Sequence, residues 1–218
     1  MHTASVDLSG YVSSSYHFGS DTGRYPFALS PANRNAFTLD VVGLSFRRPL
    51  DEWLYDSGFR LDLWVGPDAS LLDTSDTDTS VAIRQAFIDL RIPLFDPRIT
   101  GKSRSVDLRV GTFDSPLGYE SLDRYLNPHH THSWGFTIEP TLHTGLLAMY
   151  PGVDALENGE SDFLLSLGFA NSIDPRINGA PVNSDRKTLL SGATWLLPAA
   201  FGSLSGTALS AGYINGRT

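Results

Sequence analysis

Charged residues of opposite sign recur two positions apart in three segments of the chain. The pairs are Arg60 with Asp62, Asp89 with Arg91, and Asp107 with Arg109. Side chains two positions apart share one face of an extended strand. On neighbouring strands, opposite charges form cross-strand pairs worth about 0.2–1 kcal/mol each. The predicted chemistry is electrostatic: a charged wall facing water, which sets ion preference. A self-neutralising solvated face without selectivity is the alternative.

A second set of candidates lies in the segment 114–133, where Pro116 and Gly118 impose defined turns. Its charged candidates are Glu120, Asp123 and Arg124. If this segment folds inward against the charged wall, these side chains narrow the passage and act as its filter. An ordinary surface loop is the alternative. Glu139 and His143 follow on the polar parity of the next segment and join the candidates for the wall.

The remaining reactive groups predict neither catalysis nor a cofactor. The only metal-like cluster is His129, His130 and His132. No acidic residue lies within this run, and a loop tip lacks the outer contacts that orient metal ligands, so we predict no metal site. The sequence also lacks a G-x-S-x-G elbow, an H-E-x-x-H motif and a phosphate-binding glycine loop. We therefore predict that the protein is not an enzyme.

Composition limits the classes of partner. The 218 residues carry a net charge of -8 and no cysteine. Nucleic-acid binding requires a basic stripe, which this acidic chain lacks, and a disulfide framework is excluded. No apolar run approaches the roughly 18 residues of a membrane-spanning helix. Transmembrane β-barrels also lack such a run, because half of the residues in each strand face a polar lumen.

Alternation of apolar and polar residues predicts an all-β antiparallel fold with about nine strands. The clearest case runs over 59–65, where Phe59, Leu61 and Leu63 alternate with charged or polar neighbours. The predicted strands span 6–18, 36–48, 59–65, 81–92, 106–110, 134–150, 162–171, 187–197 and 203–214. The alternation becomes irregular within the second strand, which predicts a bulge near Gly43. Pro140 predicts a bulge or a break in the sixth strand.

Two architectures fit this pattern. Strands of about 10–15 residues exceed the usual soluble length of about 5–6, and several aromatic residues lie near strand ends, as in an interfacial girdle. Both features favour a transmembrane β-barrel. The alternative is a soluble β-sandwich module that binds a glycan or an ion. The two differ in whether aliphatic residues such as Leu61 and Leu108 point outward or meet a second sheet.

Five segments resemble the OmpL-like putative β-barrel porin family of bacterial outer membranes. They are LSGYVSSSYHF (8–18), GFRLDLWVGPDA (58–69), IRQAFIDLRIPL (83–94), VDLRVGTFDSPLGYE (106–120) and SWGFTIEPTLHTGLLAMY (133–150). The most specific pieces are VGTFDSPLGYE and EPTLHTG. The resemblance implies an outer-membrane channel for small hydrophilic solutes or ions, in contact with outer-membrane lipid. It leaves assembly into homo-oligomers open.

The chain departs from such porins at both ends. It starts at the first strand without an export signal, and its nine predicted strands are about half of what these porins contain. An open sheet edge is costly in lipid, because unpaired backbone groups lose several kcal/mol each. We therefore expect residues 1–218 to form a single domain, an incomplete barrel that is the N-terminal part of a longer porin.

Overall fold

The computed structural model describes residues 5–16, 18, 35–51, 55–72, 80–95, 104–151, 162–173 and 187–216. Nine strands form one antiparallel sheet, and their spatial order equals their sequence order. The strands are β1 Asp7–Tyr16, β2 Phe37–Arg48, β3 Asp56–Val65, β4 Val81–Phe95, β5 Arg104–Asp114, β6 Leu142–Pro151, β7 Asp162–Ala170, β8 Thr188–Leu196 and β9 Ala208–Asn215. This confirms the all-β antiparallel prediction.

The strand residues alternate between two faces, as their period of two requires. In β4 the aliphatic side chains of Ile88, Leu90 and Ile92 remain 49%, 39% and 42% exposed. The charged residues between them lie on the opposite face, here called the inner face. Because all nine described strands belong to one sheet, no second sheet covers the aliphatic outer face within the described ranges. The β-sandwich alternative is therefore wrong.

The long connection between β5 and β6, here called the 115–141 loop, lies against the inner face. Leu117 packs over Gly212 of β9, and Asp123 accepts a hydrogen bond from Tyr11 of β1 at 2.9 Å. A flat sheet would separate β1 from β9 by about 38 Å at about 4.8 Å per strand. Fully extended, the chain from Leu117 to Asp123 spans about 22 Å, and the turn at Gly118, with φ 109, shortens it further, so the side chains at its two ends do not bridge a flat sheet. The sheet therefore curves around the loop as an incomplete barrel, and β1 and β9 are not paired with each other.

The bulge predicted near Gly43 lies at Asp40 instead. The register of β2 against β1 shifts between Ser13 and Ser14, which makes Asp40 the additional residue. Its carboxylate then accepts hydrogen bonds from Ser13 at 3.1 Å and Ser15 at 2.8 Å. At Gly43 the chain is regular, and the ring of Tyr11 occupies the space where a side chain would be.

The predicted sixth strand, 134–150, is wrong in its first part. Trp134–Ile138 form a short α-helix, here α1, and β6 begins only at Leu142. The Ser133 side chain accepts from the Phe136 amide as the N-cap. Pro140 forces the preceding residue out of helical geometry, and Glu139 is extended with φ -83 and ψ 139.

The start of the predicted ninth strand, 203–214, is also wrong. Residues Ala199–Leu204 form 3-10 turns, so β9 begins at Ala208. Shorter 3-10 helices occur at Pro67–Leu71 and Arg124–Leu126. None of the described helices has both the length and the apolar character needed to cross a membrane.

Buried apolar residues concentrate on the inner face, between the sheet and its connections. One cluster packs the β3–β4 and β5–β6 connections against residues of β2, β3, β4 and β6. It consists of Val41, Trp64, Ala69, Leu72, Ala82, Leu122 and Leu142. A second cluster lies along β4–β8 and consists of Phe87, Phe113, Leu147, Ala170 and Leu190. The 115–141 loop is thus packed against the wall through a hydrophobic contact rather than exposed above it.

Candidate functional site

Two ion pairs cross from β4 to β5 on the inner face. Arg91 donates to both carboxylate oxygens of Asp107 at 2.8 Å, and Arg109 donates to both of Asp89 at 2.9 Å. These ion pairs form because the register of β4 and β5 places the two residues of each pair directly opposite each other. The Arg109 guanidinium also lies 3.9 Å from the centre of the Phe87 ring. Each bidentate pair therefore neutralises itself and is held in one geometry.

The third predicted pair, Arg60 with Asp62, lies along β3 instead of across strands. Arg60 Nε is 2.7 Å from Asp62 Oδ2. Asp62 also accepts from Ser45, and from Gln85 at 3.1 Å, so its two oxygens are well occupied. The Nε atom of Arg60 is buried, and within the described residues it makes no hydrogen bond of good geometry. Arg60 thus differs from Arg91 and Arg109, whose donors are engaged.

The side chain of Asp123 connects the 115–141 loop to the inner face of β1, β3 and β4 through hydrogen bonds. Its Oδ1 accepts from Tyr11 at 2.9 Å and from the Trp64 indole at 3.3 Å, and its Oδ2 accepts from Arg84 at 3.3 Å. Arg84 is completely buried and also bonds Asp114. A buried guanidinium is costly unless carboxylates surround it. Asp123, which is 5% exposed, is therefore an anchoring group in this arrangement.

Arg124 joins the loop to the β3–β4 connection. Its guanidinium makes a bidentate ion pair with Asp68 of the 3-10 helix Pro67–Leu71, and its Nη1 lies 2.9 Å from His130 Nε2. Both partners of the ion pair are buried. The backbone of Gly66, with φ 131, turns the chain at this point and approaches Asp40 closely, which brings the short helix onto the wall.

Glu120 and Glu139 lie in a more open part of the loop. Glu120 accepts from the Ser133 amide at 2.9 Å and from the Ser133 hydroxyl, and these hydrogen bonds lower the pKa of its carboxyl group. Glu139 lies beside Gly118. Together with Asp114, they border a recess of about 170 Å³. Its lining contains three carboxylates and no arginine or lysine.

Two histidines of the loop, His130 and His132, contact other residues of the loop. His132 is buried, and its Nε2 lies 3.0 Å from the Ser121 carbonyl oxygen. His143 of β6 is completely buried on the inner face, with Nδ1 3.4 Å from the Ser172 carbonyl oxygen. In the ranges that the structure describes, no group of three or more His, Cys, Asp or Glu side chains is arranged to hold a metal ion.

A cavity of about 310 Å³ lies between the wall and the loop. The inner faces of β1, β2 and β3 form one side of it, and Asp123 and Tyr125 of the loop form the other. It is here called the wall–loop cavity. Arg60 and Asp62 are the predicted wall residues that border it, whereas Arg91 and Arg109 do not. Partial desolvation of the Tyr125 hydroxyl and the nearby Asp123 carboxylate raise the pKa of this group.

Sequence reasoning missed Arg84, Asp68, Tyr11 and Trp64. Arg84 is the additional residue of a bulge in β4, since the register shifts between Asp62 and Leu63 of β3, so it falls outside the alternation that identified Asp89 and Arg91. Asp68 lies in a connection and has no periodic signal. The rule that could have indicated both is that a buried charge requires a partner.

Comparison with known proteins gave one match. A sequence model of the family described as putative beta-barrel porin-2, OmpL-like, matches residues 5–172. The matched range runs from the start of β1 to the end of β7 and includes the whole 115–141 loop. No curated protein and no solved structure matches the chain.

Proposed function

Since the chain belongs to the OmpL-like family of putative β-barrel porins, we propose that it forms a channel through which small hydrophilic solutes and ions diffuse passively across the bacterial outer membrane. The family supports a generic porin role at that membrane. In this proposal the protein performs no catalysis. Its outer face contacts lipid, and its inner face contacts the aqueous passage.

The observation that carries the proposal is the division of one sheet into an aliphatic and an ionic face. Val110 and Leu146, on the neighbouring strands β5 and β6, are 41% and 42% exposed on the outer face. On the opposite, inner face lie Arg109 of β5 and its partner Asp89 of β4. Exposed apolar surface costs about 25 cal/mol per Å² in water, whereas acyl chains remove this cost. Alternation of this kind is typical of outer-membrane strands.

The 115–141 loop supplies the narrow part of the proposed passage. Asp123 and Arg124 are buried and bonded, so we assign them the role of holding the loop in place. Glu120 and Glu139 are more accessible and border a recess without cations, so we assign them the role of filter charges. The proposed wall residues are the ion pairs Arg60–Asp62, Arg91–Asp107 and Arg109–Asp89, together with the buried His143 of β6.

Conductance of the full-length protein in planar lipid bilayers tests this function. We expect discrete current steps in potassium chloride, and faster swelling of loaded liposomes in small hydrophilic solutes than in large ones. Protein-free bilayers and liposomes are the control. Preparations that are folded in the bilayer but give neither current steps nor solute entry would reject the porin function.

A further inference from the structure

Passive diffusion alone does not account for the chemistry of the wall–loop cavity. Its volume of about 310 Å³ lies at the lower end of the range of about 300–1,000 Å³ for small-molecule sites. Tyr11 and Tyr125 face it, one from β1 and the other from the loop. A cavity that only holds water does not need aromatic side chains in its lining. The two tyrosines therefore indicate a binding site for a particular class of solute.

The lining of the cavity carries two carboxylates, Asp62 and Asp123, and one guanidinium, Arg60. Asp62 is close to Arg60, and Asp123 accepts from Arg84, which lies behind it. Both carboxylates are already occupied by hydrogen-bond donors. The excess of carboxylates disfavours a small anion, and because both carboxylates are occupied, the cavity presents no open carboxylate to a small cation.

Hydrogen-bonding capacity in the cavity is nevertheless left over, and it comes from Arg60. The Arg60 side chain is 30% exposed and borders the cavity, and because its Nε is buried against Asp62, the donors that it offers to a solute are its two terminal amino groups. A guanidinium presents several donors in a fixed plane. A solute rich in hydroxyl oxygens satisfies such donors without bringing in a charge.

The two tyrosine rings restrict the shape of the solute that the cavity can bind. The Tyr11 and Tyr125 rings are 4.6 Å apart between centroids, inclined at 54°, so each holds the other in place. Tyr125 is 60% exposed, which leaves part of its ring free for contact. A flat face of C–H groups packs against such a ring, and a cyclic solute presents this face whereas an open-chain one does not.

We propose that the wall–loop cavity binds one neutral hydroxylated ring, a monosaccharide unit, during its passage through the channel. The ring packs on Tyr125, and its hydroxyl groups accept hydrogen bonds from Arg60. This inference rests on the proposed channel function and names a solute class for it. Binding is weak, because a solute in transit must leave as readily as it enters.

The test is the current of open channels in the presence of glucose, with sorbitol as the comparison. Sorbitol carries similar hydroxyl groups on an open chain and corrects for viscosity. We expect glucose to reduce the current in a saturable manner, with half-reduction at roughly millimolar concentrations or above, and sorbitol to show no saturation. Tyr125→Ala and Arg60→Gln should each raise the half-reducing glucose concentration about tenfold, a loss of about 1.4 kcal/mol.

Tyr119→Ala is the matched control, because Tyr119 is an 87% exposed tyrosine of the same loop that does not border the cavity. Its glucose response should equal that of the wild type. Tyr125→Phe keeps the ring and should keep most of the response, which distinguishes ring contact from misfolding.

Channels that conduct but respond equally to glucose and sorbitol would overturn the monosaccharide site and leave the porin function standing. A glucose response unchanged in both cavity variants would overturn it as well. Absence of channels would reject both proposals.

Discussion

Arg124 and Asp68 form a bidentate ion pair, with Nε donating to Oδ2 at 2.9 Å and Nη2 donating to Oδ1 at 3.0 Å. The two residues belong to different connections, one between β5 and β6 and the other between β3 and β4. Their side chains are 5% and 0% exposed. This pair therefore joins two connections over the inner face and fixes the start of the 3-10 helix Arg124–Leu126 relative to the wall.

Removal of one partner of this pair should destabilise the protein. Arg124→Gln removes the guanidinium that pairs with the buried Asp68 carboxylate, and breaking a buried pair in this way costs on the order of 3–5 kcal/mol. Water entering the lumen reduces this cost, so we expect about 2–3 kcal/mol. The measurement is the free energy of unfolding in urea, in detergent or lipid. Arg124→Lys should recover only part, because an ammonium group cannot bind both oxygens.

The matched control is the exposed pair of Arg47 with Asp7. Its atoms are 3.5 Å apart and its side chains are 55% and 48% exposed. Arg47→Gln should change the free energy of unfolding by less than about 1 kcal/mol. Equal losses for Arg47→Gln and Arg124→Gln would contradict the anchoring role of Arg124.

The ion selectivity of the channel should depend on Glu120. Because Arg91 and Arg109 are neutralised by their own carboxylates, the loop carboxylates dominate the field, and we expect a preference for cations. A unit charge at about 10 Å in water is worth about 0.4 kcal/mol. Because this charge attracts cations and repels anions by the same amount, Glu120→Gln should lower the cation-to-anion permeability ratio by about fourfold at low salt, as measured by the reversal potential in a salt gradient.

Asp51→Asn is the control for this prediction, since Asp51 is exposed beside the end of β2. It should leave the reversal potential unchanged. Asp123→Asn should mainly alter the frequency of closures, because Asp123 is bonded to the wall. If the permeability ratio stays constant in both Glu120→Gln and Asp123→Asn, the loop does not act as the filter.

The inner wall and its ion pairs could be predicted from the sequence because they depend on a local period. Arg91 and Asp107 share a face with their alternate neighbours wherever the strands run, and the hairpin between β4 and β5 then brings them together. The outer aliphatic face follows from the same alternation. These features require only the register of one strand with the next.

The anchors of the loop could not be predicted in this way. Arg84 and Asp40 occupy bulges, and a bulge breaks the period on which the prediction depends. The contact of Asp68 with Arg124 joins residues 56 positions apart in two irregular segments, so no pattern along the chain encodes it. The sequence therefore predicted most of the strands and the two ion pairs between β4 and β5, but not the contacts that hold the loop.

Two glycines of the inner face should respond differently to substitution. At Gly212 a Cβ atom would lie 2.6 Å from the end of the Leu117 side chain, which can move. At Gly145 it would collide with the backbone carbonyl of Phe169 in the paired strand β7. Gly145→Ala should lower the free energy of unfolding by about 1–3 kcal/mol, whereas Gly212→Ala should lower it by less.

Gly212→Ala should instead shift the loop and change single-channel conductance. Conductance and unfolding measured on both variants separate the two effects. A larger stability loss for Gly212→Ala than for Gly145→Ala would contradict the assignment of Gly212 as a contact of the loop rather than of the strands.

The cap of α1 should weaken in acid because it depends on the ionised form of Glu120. Hydrogen bonds from Ser133 lower the pKa of this carboxyl group below its ordinary value of 4.5. A lowered pKa in the folded state gives a stabilisation that is complete above the ordinary value and is lost as the pH falls through the folded value. We expect hydrogen exchange at the Ser133 and Phe136 amides, corrected for intrinsic rates, to accelerate in that acidic range. Glu120→Gln should remove this pH dependence, whereas Glu139→Gln should preserve it, and a dependence that survives in Glu120→Gln would assign the transition to another group.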